Sequence, residues 1–183
     1  MRRVLPLLLL GSVVFTPTFA AAEGGDDCAY ELQPISQEGD RVLAEPVLIG
    51  CFDTYAEALA AGSDGALSVS SDTTPLTLSE STVNSAAASS VVLIGTEFDN
   101  TFYSGSSKSY YASATCSASL TWEVDYVTDT WNDRFSSGKG FGGCDRNRKF
   151  QHSQFGGSSV LCTPNCTNYG TLSASVSSLR WSN

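Results

Sequence analysis

The sequence predicts a mainly β protein with a small α+β unit at its N-terminal end. From residue 91 onward, short runs rich in Val, Tyr, Phe and Thr alternate with Gly, Ser and Asn and show no helical period. Within that stretch a spaced aromatic and glycine pattern occurs twice. The six cysteines, Cys28, Cys51, Cys116, Cys144, Cys162 and Cys166, are an even set, which reads as a disulfide framework in an oxidising compartment.

Arg2 and Arg3 precede an apolar run over residues 4–15, and Ala20, Ala21 and Ala22 offer a small-residue cleavage site, which predicts a secretory leader over residues 1–22. Pro6 and Pro17 interrupt the run, it falls short of the ~20 apolar residues that a spanning helix needs, and no second hydrophobic stretch follows, so no membrane span is predicted. Residues 23–65 read as a small acidic α+β unit. Strands over 29–34 and 41–51 flank a turn containing Glu38, Gly39 and Asp40, and Thr54 with Glu57 three residues on forms a capping box for a helix that stops at Gly62. Phe52, Tyr55 and Leu59 would cover one face of that hairpin. Residues 66–90, dominated by Ser, Thr and Ala, predict a linker, because so little apolar surface does not offset ordering entropy. Leu76, Leu78 and Val83 are the residues there able to dock or to form a short helix. Residues 91–183 then make up the β domain, with 114–130 read as an insertion.

The formal net charge is −9, and −11 once Arg2 and Arg3 leave with the leader. Residues 23–95 hold twelve acids and one base, Arg41, whereas 96–183 hold seven of each. Nothing in this distribution suits a nucleic-acid partner, whose affinity would rest on basic surface.

The repeated pattern is aromatic, four residues, aromatic, one residue, glycine: Phe98, Tyr103 and Gly105, then Phe150, Phe155 and Gly157. After the first copy comes a run of oxygen donors, Asn132, Asp133, Arg134, Phe135, Ser136 and Ser137. Aromatic hairpin followed by this clamp resembles one Greek-key motif of the βγ-crystallin family, whose clamp reads Asn/Asp, Asn/Asp, any, any, Ser/Thr, Ser. The resemblance spans roughly residues 91–183 and implies a two-Greek-key sandwich. The second copy has Ser173, Ala174, Ser175, Val176, Ser177 and Ser178 at the matching place, keeping the serines without the acids. The resemblance implies Ca²⁺ as ligand, with a carboxylate from Asp133, hydroxyls from Ser136 and Ser177, and carbonyls from Arg134 and Ser175. Because family sites read the two clamps crosswise, it implies one Ca²⁺ rather than two. It also brings a rival reading, since small bacterial inhibitors of metalloproteinases share the fold. An extracellular protease or a cell-surface component is then the partner, the loops 116–144 and 162–166 are the candidate contacts, and a secreted toxin is a third possibility.

Six cysteines allow fifteen connectivities. Pairing neighbours keeps each bridge within one module, which predicts Cys28 with Cys51, Cys116 with Cys144, and Cys162 with Cys166. Zinc is disfavoured by a single histidine, His152, and by the lack of a Cys-x-x-Cys pair. Gly138, Gly140 and Gly143 match the letters of a dinucleotide-binding fingerprint but not its strand and helix context. Glu123 and Asp125 would share a strand face as a carboxylate pair, and His152 invites a hydrolase triad, yet no nucleophile elbow accompanies it. The protein is read as non-enzymatic. Arg134, Lys139, Arg146, Arg148 and Lys149 form a basic run that reads as a solvated hairpin or a docking patch, and Asn165, Cys166 and Thr167 spell a glycosylation acceptor.

Overall fold

β1 (Asp27–Glu38) and β2 (Arg41–Phe52) form the predicted antiparallel hairpin, stapled by the Cys28–Cys51 disulfide. The computed structural model describes residues 25–86 and 90–183, so the leader predicted over 1–22 lies outside the described residues. Helix α1 (Tyr55–Gly62) starts at the capping box, with Glu57 N donating to Thr54 Oγ1 at 3.2 Å and Thr54 N donating to Glu57 Oε2 at 3.1 Å. A second short helix, α2 (Glu80–Ser85), begins at Ser79. Then come β3 (Val92–Phe98), β4 (Ser107–Ala112), β5 (Thr121–Val124), β6 (Ser137–Gly140), β7 (Arg146–Phe150), β8 (Ser159–Cys162) and β9 (Ser178–Ser182).

The nine strands among the described residues join one sheet in the order β6-β3-β4-β1-β2-β5-β9-β7-β8. It contains the same arrangement twice. β6-β3-β4 and β9-β7-β8 each place the fourth strand of a Greek key beside its first, which pairs on its other side with the second. The third strand of each key crosses to the other: β5 pairs with β9, and Cys166 bridges to Gly138 on β6. Residues 114–130 therefore hold the crossing strand of the first key rather than an insertion. The Cys116–Cys144 and Cys162–Cys166 bridges complete the predicted local pairing.

The front hairpin is not a separate unit. β1 adds in parallel to β4 over Asp27 to Glu31, and β2 adds in parallel to β5 over Arg41 to Leu43, so the hairpin joins the edges of the two keys. The linker predicted over 66–90 is also packed where it is described, with Leu67, Leu78 and Val83 buried. The reason is strand alternation. Ile94, Tyr110 and Ala112 point into the core between the keys, while Leu93 and Tyr111 point outward, where Tyr55, Leu59, Leu67, Leu78, Val83 and Phe141 cover them. Three apolar side chains suffice to dock the Ser- and Thr-rich segment, because the surface that receives them is already assembled. Leu76 stays exposed.

Candidate cation-binding site

Each aromatic hairpin folds back through the left-handed region, in which Phe102, Tyr103 and Gly105 have φ of 59°, 57° and 77°, and Gln154, Phe155 and Gly157 have φ of 55°, 61° and 74°. The rings of Phe98 and Tyr103 lie 5.8 Å apart and those of Phe150 and Phe155 lie 5.5 Å apart, both edge to face. One serine locks each fold-back. Tyr103 N donates to Ser137 Oγ at 3.0 Å and Ser137 Oγ donates to Asn100 O at 2.6 Å, while Phe155 N donates to Ser178 Oγ at 3.1 Å and Ser178 Oγ donates to His152 O at 2.7 Å. The final serine of each clamp thus fastens its own hairpin.

The clamps interlock. Asp133 (φ 58°) donates its N–H to Val176 O at 3.1 Å, and Ala174 (φ 55°) donates to Phe135 O at 2.9 Å. These paired bonds set each clamp across from the other. The fold is βγ-crystallin-like. No family model and no curated protein matches the chain. Among solved structures, a double mutant of a βγ-crystallin domain from Clostridium beijerinckii is 18% identical over 49% of this chain and 98% of its own, with a TM-score of 0.38. A βγ-crystallin from an archaeon is 19% identical over 49% of this chain and 96% of its own, with a TM-score of 0.36. The N-terminal domain of protein S is 21% identical over 48% and 93%, with a TM-score of 0.37.

The two crystallin-like clamps differ in chemistry. At the first crossing, Asn132, Asp133, Gln151, Ser175 and Ser177 line one open cleft of about 480 Å³. Ser177 Oγ donates to Gln151 O at 2.8 Å, and Asp133 Oδ2 accepts from Asn132 Nδ2 at 2.9 Å. Asn132 Oδ1 is buried with no hydrogen-bond partner. Carboxylate, hydroxyl and carbonyl oxygens in one concave place suit a hard divalent cation. Gln151 was not singled out in the sequence, because a backbone carbonyl carries no side-chain signature.

In the second clamp Ala174 stands in sequence where Asp133 stands in the first, and its side chain, a methyl that coordinates nothing, lines the same cleft. Asp99 accepts through Oδ2 from Arg134 Nη2 at 3.0 Å while its Oδ1 is buried with no hydrogen-bond partner; Arg134 Nη1 donates to Thr130 O at 3.2 Å and the guanidinium lies 4.5 Å from the Trp131 ring centroid. The second clamp, residues 173–178, brings no carboxylate of its own. Ser136, an expected donor, is buried and does not line this cleft.

The other sequence motifs resolve into packing. A Cβ on Gly138 would lie 2.0 Å from Tyr169 Oη, and one on Gly140 would lie 2.0 Å from Asn147 Nδ2, so these glycines let the two keys approach. Glu123 forms no carboxylate pair with Asp125. It is buried between Arg41, whose Nε and Nη2 donate at 2.9 Å each, and Arg180. The basic run splits: Lys149 is buried beside Glu97 and Lys139 Nζ donates inward to Pro75 O at 2.8 Å and Leu78 O at 2.9 Å, whereas Arg134 and Arg146 stay exposed and Arg148 is half-buried. His152 lines the cleft beside Asn132 and Asp133. No helix among the described residues is long and apolar enough to cross a membrane.

Proposed function

We propose that this is an exported, non-enzymatic βγ-crystallin-like protein that binds one Ca²⁺ and is stabilised by it. The observation that carries the reading is the cleft where Asp133, Gln151, Ser175 and Ser177 converge beside the unpartnered oxygen of Asn132. Asp133 would supply the charge, and the neutral oxygens would complete the shell. A single carboxylate argues for weak binding, with a dissociation constant of ~10⁻⁴–10⁻³ M, the range of extracellular modules. Three disulfides fit export, and the burial of Glu123 between two arginines removes the acid best placed for hydrolysis.

Ca²⁺ bound only by the folded chain stabilises it by about 2.7 kcal/mol at a hundredfold excess over the dissociation constant. Titration calorimetry is expected to show one site, and Asp133→Ala is expected to abolish both the heat and the thermal shift. Two equal sites would contradict the reading of the second clamp, and no binding at millimolar Ca²⁺ would end the proposal.

One observation favours a second reading, inhibition of an extracellular protease. Thr163 and Asn165 are exposed in the Cys162–Cys166 loop, yet the loop is fixed. Cys166 N donates to Gly138 O at 2.9 Å, Gly138 N to Cys166 O at 3.0 Å, Gly140 N to Asn165 Oδ1 at 3.1 Å, and Asn147 Nδ2 to Pro164 O at 2.7 Å. A preorganised loop loses little entropy on binding. Titrating serine and metalloproteases with the protein tests this, and full protease activity at stoichiometric amounts would exclude it.

A further inference from the structure

Between the two keys, Glu97, Lys149 and Tyr169 meet in the interior. Lys149 Nζ donates to Glu97 Oε1, and Tyr169 Oη donates to Glu97 Oε2. The side chains of Lys149 and Glu97 are 1% and 0% exposed. Room for them exists because Gly138 has no Cβ, which would lie 2.5 Å from Glu97 Oε2.

As an ion pair this trio is poorly served. An ammonium carries three donors, and Glu97 Oε1 takes one of them. What else faces Nζ is aromatic, with the ring centroids of Trp181 and Tyr169 at 5.3 and 5.9 Å. Stripping water from both ions is costly, and a single hydrogen bond offsets little of it. Burial pulls the Lys149 amine below its ordinary value, against the opposing effect of Glu97. Burial also holds the Tyr169 phenol protonated, as a donor. The amine is thus held against one carboxyl oxygen of Glu97 while a donor occupies the other, which places a nucleophile beside an acyl carbon.

We propose that Lys149 and Glu97 condense into an intramolecular amide that ties β7 of the second key to β3 of the first. Lys149 Nζ adds to Glu97 Cδ, and the charge that develops on Oε2 is held by the Tyr169 hydroxyl. Oε1 departs as water with two of the three protons that Nζ and the carboxyl group carry between them, and the third stays as the amide N–H. One C–N bond forms, one C–O bond breaks, and no oxidant or cofactor is consumed. The surroundings suit the product better than the reactants. The amide keeps its carbonyl oxygen on Tyr169 and presents a single N–H where the ammonium had three. Fixed proximity supplies an effective molarity of up to ~10⁵–10⁸ M, and the closed core keeps out the water that would reverse the step.

Peptide mapping of the exported wild-type protein, reduced and alkylated, is the test. The expected result is a tryptic peptide carrying Glu97 joined to the peptide that begins at Lys149, together lighter by one water than their sum. In Glu97→Gln the same attack expels ammonia instead, so its joined peptide is expected to have the same mass as the wild-type one, whereas Lys149→Met is expected to yield no joined peptide. Free Glu97 and Lys149 peptides recovered quantitatively from folded wild-type protein would overturn the proposal, and that measurement stands whether or not either variant folds.

Discussion

Lys108 carries its amine into the core, where Nζ donates to Val127 O at 2.6 Å and lies 3.8 Å from the centroid of the Tyr30 ring. Val127 N in turn donates to Ser177 O at 3.0 Å, so this buried amine supports the loop that leads to the first clamp. No carboxylate offsets its burial, and desolvation lowers its pKa from 10.5 to about 6. Between those values the unfolded chain binds a proton that the folded chain does not, so stability rises with pH across this window and is lost as pH falls toward 6. The slope from this one group is at most about 1.4 kcal/mol per pH unit. Urea unfolding from pH 6 to 10 is expected to show a flatter pH dependence for Lys108→Met than for wild type; parallel profiles would show that the amine does not titrate there. Gly138 gives a second prediction. Gly138→Ala would press a methyl against Tyr169 Oη and Glu97 Oε2, and overpacking of that kind costs about 1–3 kcal/mol, read as a lower urea midpoint with an unchanged slope.

At the scale of elements, the β1–β2 hairpin fills a gap that a pair of Greek keys leaves open. It pairs with β4 on one side and β5 on the other, while α1 and the segment around Leu67, Leu78 and Val83 cap the outward face of Leu93 and Tyr111. Without these parts two strand edges and an apolar face would meet water, a combination that invites self-association. A chain truncated to begin at Val91 is therefore expected to associate or to melt well below the intact protein. Size-exclusion chromatography and circular dichroism decide it, and a monomer with the intact melting temperature would show that the hairpin is dispensable. The packed 66–86 segment also implies slow cleavage there under native conditions.

Over the whole molecule, the crossing strands and interlocked clamps prevent either key from completing its sheet alone. β5 belongs to the first key by sequence and to β9 by hydrogen bonding, and the Asp133 and Ala174 amides reach into opposite keys. Trp122 and Trp181, opposite one another on β5 and β9, both lie in the shared core. Unfolding is expected to be one cooperative transition, with tryptophan fluorescence and far-UV circular dichroism giving the same midpoint. Two separated transitions would show that the keys, or the front segment, melt independently.

The sequence by itself determined what is local and periodic. Thr54 and Glu57 announce a helix start, the doubled aromatic and glycine spacing marks both hairpins, alternation marks strands, and the order of the cysteines matches three short-range bridges. Each clamp is contiguous in the chain and so legible there, and Asn132, Asp133 and Ala174 come to line one cleft. Contacts between distant segments were decided by the tertiary structure. Nothing in the composition of residues 66–90 reveals that Leu78 and Val83 meet a surface built by Tyr111 and Phe141. A run of Arg and Lys reads as solvated until strand register turns Lys149 inward onto Glu97, 52 residues away. Side-chain direction in a strand changes with each residue, so whether a charge faces water or core depends on which layers the folded chain places on either side.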